Sequence, residues 1–266
     1  MRIKLVAIDL DDTLLDSRRR ISPKTAELIK KVRKQGVLVT LATGRMYSSA
    51  LFYARLLKIE LPLITYQGAL VKNSGSGEVL YYKPVEPEKA GEIVDFFKAN
   101  GVHYNAYLDD NLYMERLTRE GRDYAELAGI EAKVVPDLAW QVKKQGSLKI
   151  MGISYAEPKI LELEKELKSR YGETLNITRS KPYFLEVMHK KANKAEALKV
   201  VAAYYGIERE EVLAIGDSYN DIEMLKWAGL GVAMGNAPQE VKEAADWVTL
   251  SHDEEGVAYA LQRWIR

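Results

Sequence analysis

Cysteine is absent from this chain, which rules out disulfides, a thiolate nucleophile, a zinc finger and an iron–sulfur cluster. Histidine is scarce. His103, His189 and His252 lie far apart without HExxH-like spacing, so each reads as a structural or surface residue rather than a metal ligand. No apolar run approaches the roughly 18 residues of a membrane span. The run over residues 3–10 does not read as a signal peptide either, because it holds Lys4 and ends in Asp9, Asp11 and Asp12. The expected location is cytoplasmic, with no membrane partner. Charge of one sign is not in excess: 39 basic against 38 acidic residues give +1, which argues against a nucleic-acid partner. There is no internal repeat and no low-complexity tract.

The chain does have bulk. Its 266 residues, 47% of them hydrophobic, are enough to bury about three quarters of the unfolded surface without staples. Residues 3–10 read as a buried strand running into acids. Ser22 and Pro23 predict an N-cap and first helical residue, and Gly36 ends that helix. Strands follow at 37–42 and 63–66 with a helix between them, the signature of a parallel sheet with covering helices. The stretch Asn73-Ser74-Gly75-Ser76-Gly77 reads as a hairpin turn, since it lacks the Lys-Ser/Thr and the helix of a P-loop.

Lys83-Pro84-Val85-Glu86-Pro87 reads as a linker. Beyond it the pattern changes to a helix over 87–100, strands paired about Asp109-Asp110-Asn111 and a helix over 119–128. A strand at 148–154, a helix over 158–171 and strands near 175–178 and 183–188 complete a block of roughly 100 residues. The first style then resumes with a helix over 193–205 and a strand at 212–215. The block is assigned to residues 84–182, interrupting an α/β domain of residues 1–83 and 183–266.

Ligands of open parallel sheets sit beyond the carboxyl ends of the strands. Four polar elements fall there or at a helix start: Asp9-Leu10-Asp11-Asp12-Thr13, Thr43-Gly44-Arg45, Lys194, and Gly216-Asp217-Ser218-Tyr219-Asn220-Asp221. One carboxylate can attack while a neighbour handles protons, and hydroxyls, loop amides and a lysine can hold phosphoryl oxygens. Carboxylates converging without Cys or His suit Mg²⁺. Arg18-Arg19-Arg20 reads as a solvated charge run. Arg179 and Lys181 are candidates for contact with a second anionic group.

On these motifs the chain resembles the haloacid dehalogenase (HAD) superfamily, specifically the Cof-type phosphatases with a large inserted α/β cap of class C2B. The resemblance covers essentially the whole chain. It implies a Rossmann-like, doubly wound parallel-sheet core and a Mg²⁺-dependent phosphatase acting through an aspartyl phosphate. The substrates implied are small phosphorylated metabolites, sugar phosphates foremost. Asp9 is then the nucleophile and Asp11 the general acid/base. The Asp9 carboxylate, the Asp11 backbone carbonyl and Asp217 hold Mg²⁺, with Asp221 supporting that shell, and Thr43, Gly44, Lys194 and Asn220 bind phosphate. Gln67-Gly68 departs from the family's usual Asn-Gly after the third core strand. A phosphosugar mutase, or a non-catalytic regulatory protein that binds a phosphate ligand, are the alternatives on the same scaffold. A monomer or homodimer is expected.

Overall fold

The computed structural model describes residues 2–265. It begins with β1 (Leu5–Ile8), α1 (Pro23–Lys34), β2 (Leu38–Leu41), α2 (Tyr47–Leu56), β3 (Pro62–Thr65), β4 (Leu70–Asn73) and β5 (Val79–Tyr82). Next come α3 (Pro87–Ala99), β6 (His103–Leu108), β7 (Asn111–Met114), α4 (Arg119–Ala128) and β8 (Ala132–Val134). They lead into α5 (Leu138–Gln145), β9 (Lys149–Ile153), α6 (Glu157–Tyr171), β10 (Leu175–Lys181) and β11 (Phe184–His189). The last stretch holds α7 (Lys194–Tyr204), β12 (Val212–Gly216), α8 (Ile222–Trp227), β13 (Leu230–Ala233), α9 (Gln239–Glu243), β14 (Trp247–Val248) and α10 (Gly256–Trp264). The chain divides into two units: everything up to Tyr82 together with everything from Asn193 onward, and Lys83–Ala192.

The first unit is built on a parallel sheet in the order β14-β13-β12-β1-β2. β1, Leu-Val-Ala-Ile, lies between β12 and β2 and is buried at every position, as a strand covered on both faces must be. Ser22 caps α1 by accepting the Thr25 amide, and α1 buries Thr25, Ile29 and Val32 at helical spacing. The expected third parallel strand departs from this pattern. β3 joins the sheet only through a parallel bridge between Ala42 and Ile64, and it pairs antiparallel with β4 in a separate three-stranded sheet with β5. Pro62 has no N–H to give a ladder, and the Thr40 hydroxyl bonds its carbonyl at 2.5 Å instead.

The second unit is a six-stranded sheet ordered β10-β11-β9-β6-β7-β8, antiparallel except for β7 against β8. Alternate residues Ala106, Ile150, Leu185 and Val187 face a core filled from α3, α5 and α6 by Ile93, Phe97, Val142 and Leu163. β11 pairs with both β10 and β9, so residues 184–189 belong to this unit. The return therefore falls near residues 192–193, not at 182, because cutting at 182 would split a hairpin. Among the described residues no helix is long and apolar enough to cross a membrane.

Candidate active site

Three buried carboxylates meet at the carboxyl edge of the five-stranded sheet. Asp9 follows β1 directly, and its amide donates to the Ile215 carbonyl of β12 at 3.0 Å. Asp217 follows β12, and Asp221 folds back beneath it, accepting the Asp217 and Ser218 amides at 3.1 and 3.0 Å. Position 216 must be glycine: a Cβ there would stand 2.5 Å from the Asp221 Cγ. One oxygen each of Asp9, Asp217 and Asp221 lies within 4.8 Å of the others. The Lys194 ammonium, at the first turn of α7, is 1% exposed and reaches Asp9 Oδ1 at 2.5 Å and Asp221 Oδ1 at 2.6 Å. Asn193 fixes that turn by capping the Glu196 amide at 2.8 Å. Asp217 accepts the hydroxyls of Thr13 (2.7 Å) and Ser218 (2.9 Å).

Burial works against the Lys194 charge, but Asp221 and Asp9 outweigh it and hold the ammonium protonated. Burial also drives the Asp9 carboxyl well above the usual carboxylate range; Lys194 opposes this, and Asp221 and Asp217 add to it. Asp217 is pushed up to about 6, chiefly by burial. If all three were ionised, one ammonium would leave two negative charges unbalanced in a dry site, which is why burial drives the Asp9 and Asp217 carboxyls up. The donors on offer are hard oxygens alone. Both facts fit a divalent cation of the Mg²⁺ kind.

The Asp11 carboxylate stands apart from this cluster. It lies past the strand on a wide turn, and Arg45 grips it through two bonds, Nε to Oδ2 at 2.8 Å and Nη2 to Oδ1 at 2.5 Å. Such fork-to-carboxylate pairing is stronger and more directional than a single bond. Asp221, expected to support the metal shell, stands with Asp9 and Asp217 as the third carboxylate of the cluster. Arg45 is itself steadied by Ser49 at 3.2 Å and by the ring of Tyr53.

Thr43 and Gly44 lie beyond β2, with the Thr43 amide tied to Ile64 and its hydroxyl accepting the Arg45 amide at 3.1 Å. Gln67 approaches from the loop after β3. Its Oε1 accepts from Asn220 Nδ2 at 2.8 Å, and a Cβ on Gly44 would stand only 2.4 Å from its Nε2. Gly68 packs so closely on the carbonyl of Asn193 that a Cβ would stand 2.1 Å away. The structure thus brings Asp9, Lys194, Asp217 and Asp221 together and joins Gly44 to Asn220 through Gln67. Arg45, Thr13 and Ser218 were not singled out as site residues. All three had a signal, their places inside the polar elements at the strand ends: Arg45 after Thr43-Gly44, Thr13 closing the first element and Ser218 within the last.

The sequence matches the family described as haloacid dehalogenase-like hydrolase over residues 6–261. It is similar to the 5-amino-6-(5-phospho-D-ribitylamino)uracil phosphatase YcsE of Bacillus subtilis, at 33% identity over 264 residues covering 99% of this chain and 96% of that protein. A crystal structure of a Thermotoga maritima protein superposes with a TM-score of 0.90 at 35% identity, covering 98% of this chain and 97% of that one. The HAD subclass IIB sugar phosphatase BT4131 superposes with a TM-score of 0.83 at 27% identity, covering 98% of each chain. A parallel sheet ending in the Asp9, Asp217, Asp221 and Lys194 constellation, matched along its length to these proteins, makes the chain a Cof-type phosphatase of the haloacid dehalogenase superfamily.

Proposed function

We propose that the chain is a Mg²⁺-dependent phosphatase of small phosphorylated metabolites, sugar phosphates foremost, and that it works through an aspartyl phosphate on Asp9. The observation that carries this reading is Lys194, buried and bonded at once to Asp9 and Asp221. Its charge orients one oxygen of Asp9 and lowers the repulsion between a carboxylate and an incoming phosphate. Asp9 attacks phosphorus, the ester P–O bond breaks, and the departing oxygen takes the proton of Asp11. Asp11, now a carboxylate, takes a proton from water as that water attacks the same phosphorus. The bond to Asp9 breaks, and inorganic phosphate leaves. Arg45 aims Asp11, while Thr43, Gly44 and Asn220 donate to the phosphoryl oxygens. Asp9, Asp217 and Asp221, with the Asp11 carbonyl, would hold Mg²⁺, which would supply neutralising charge for the phosphoryl group. The unit Lys83–Ala192 is the C2B-type cap that selects the leaving group.

Phosphate release from a panel of sugar phosphates, nucleotides and cofactor phosphates, with Mg²⁺ and then with chelator, tests the proposal. Release should depend on the metal. Full turnover after chelation would refute the metal assignment. Release from a sugar monophosphate without added bisphosphate separates a phosphatase from a mutase.

A further inference from the structure

The wide turn after β1 carries a backbone conformation that its sequence does not favour. Asp12 is left-handed (φ 57°, ψ 15°), a region that glycine enters freely and other residues enter at a cost. An aspartate can offset that cost with a local side-chain bond, but the exposed Asp12 carboxylate makes none among the described residues. The hold comes from far along the chain. Asn236 Nδ2 donates to the Asp12 carbonyl at 2.9 Å, across 224 positions.

Asn236 is itself fixed at its other end, where Oδ1 accepts the His252 amide at 3.0 Å. A backbone N–H on one side and a carbonyl on the other permit one orientation of the carboxamide. The segment beneath it is anchored on the sheet: the Met234 amide donates to Gly216 of β12 at 2.9 Å, and the Gly235 amide to Leu250 at 3.0 Å. Gly235 lies so close to the neighbouring loop that a Cβ would stand 2.8 Å from the Ser251 nitrogen. That loop also reaches the far end of the turn, where Asp253 Oδ1 accepts the Ser17 amide at 2.9 Å. All these groups belong to the first unit. Asp11 stands one residue before the braced carbonyl. Arg45 steers its carboxylate, but the Asp12 turn sets its backbone. Relaxing Asp12 to a right-handed or extended form would turn the peptide joining it to Asp11 and carry that side chain away from Asp9.

We infer that Asn236 is a positioning residue for the proton-transfer steps, keeping Asp11 in line with Asp9 by holding Asp12 left-handed. This deepens the phosphatase reading and rests on it. The demand arises because position 12 is an aspartate; a glycine there would hold the turn unaided. The test is a double-variant cycle in the intact chain at saturating Mg²⁺: wild type, Asn236→Ala, Asp12→Gly and the two combined. Each is assayed on a sugar monophosphate, whose alkoxide needs the proton of Asp11, and on nitrophenyl phosphate, whose leaving group does not. Asn236→Ala should lower kcat/KM for the sugar phosphate about tenfold, the weight of one hydrogen bond, and leave it within about twofold for nitrophenyl phosphate. Asp12→Gly alone should stay within about twofold of wild type, and combined with Asn236→Ala it should bring the sugar phosphate back to within about threefold. Asn236→Asp keeps the shape but turns an acceptor towards the Asp12 carbonyl, so it should be at least as damaging as Asn236→Ala.

Equal losses on both esters would make Asn236 a structural prop, and a loss undiminished by Asp12→Gly would place its effect outside the turn. Either result overturns the inference, as does an Asn236→Ala enzyme that matches wild type. Melting curves give an arm independent of turnover. Asn236→Ala should melt about 2–4 °C below wild type, and the same change in the Asp12→Gly background should lose less than half of that. If wild type releases phosphate from no ester, the phosphatase reading fails, and the melting cycle alone decides whether Asn236 holds the turn. If Asn236→Ala does not fold, a folded and active combined variant supports the inference, and an unfolded one overturns it.

Discussion

At the scale of single residues, the site is an arrangement of charge that the folded chain does not balance by itself. Asp9, Asp217 and Asp221 share one buried ammonium, so removing a carboxylate should relieve repulsion in metal-free protein. Asp217→Asn is expected to raise stability by about 1–3 kcal/mol in chelator. It should abolish the further stabilisation that Mg²⁺ gives the wild type, as read from melting curves with and without metal. A variant destabilised in chelator would mean that the surplus charge is already compensated. Gln67 supplies a second case. Its backbone is left-handed (φ 56°), a conformation that Asn adopts more readily, so the longer amide is held there by what it touches. Gly44→Ala should be costly alone, because its Cβ meets that amide, and nearly free in a Gln67→Ala background. Additive effects on KM and melting temperature would show that the contact is idle.

At the scale of elements, the strand ends and helix starts of the first unit were legible because each couples an apolar run to chemistry-bearing residues. Residues 3–10 read as a strand running into acids, and Leu5–Ile8 followed by Asp9 is what formed. α4 was also legible, its Thr118 cap accepting the Gly121 amide at 3.2 Å. Four features were not. α5 is short and lies in a stretch without strong periodicity, and β8 is only three residues long. The partnership of β11 depends on pairing across the sheet, which no local pattern announces. The Arg45 grip on Asp11 joins residues 34 apart, so the sequence showed an arginine at a strand end without its partner. The contact between β6 and α4 carries a pH dependence. His103, buried beside Gly121 and bonded through Nδ1 to Thr118, is lowered to about 4, chiefly by burial, with Glu120 opposing. A histidine lowered on folding supports the fold above its unfolded value near 6.5 and loses that support as pH falls towards 4. The second unit should lose roughly 2–3 kcal/mol over that window. His103→Gln should flatten the loss in acid melts followed by circular dichroism. An unchanged slope would place the acid sensitivity elsewhere.

At the scale of the whole molecule, the metal cluster, its lysine and the Thr43 loop are all drawn from the first unit, which the second unit interrupts. Replacing Lys83–Ala192 by a short Gly/Ser linker should therefore leave metal-dependent hydrolysis of nitrophenyl phosphate measurable while erasing preference among metabolite esters. Unchanged discrimination would place specificity in the loops around Gln67. The central claim is that phosphate passes through Asp9 with Asp11 as the proton carrier. Intact-mass analysis of Asp9→Asn and Asp11→Asn, mixed with nitrophenyl phosphate and Mg²⁺ and then acid-quenched, tests it most directly. Nitrophenol leaves without a proton, so Asp11→Asn should load a phosphoryl group that water is slow to remove, while Asp9→Asn should load none. A phosphorylated Asp9→Asn chain beside an unmodified Asp11→Asn chain would contradict the account and exchange the two roles.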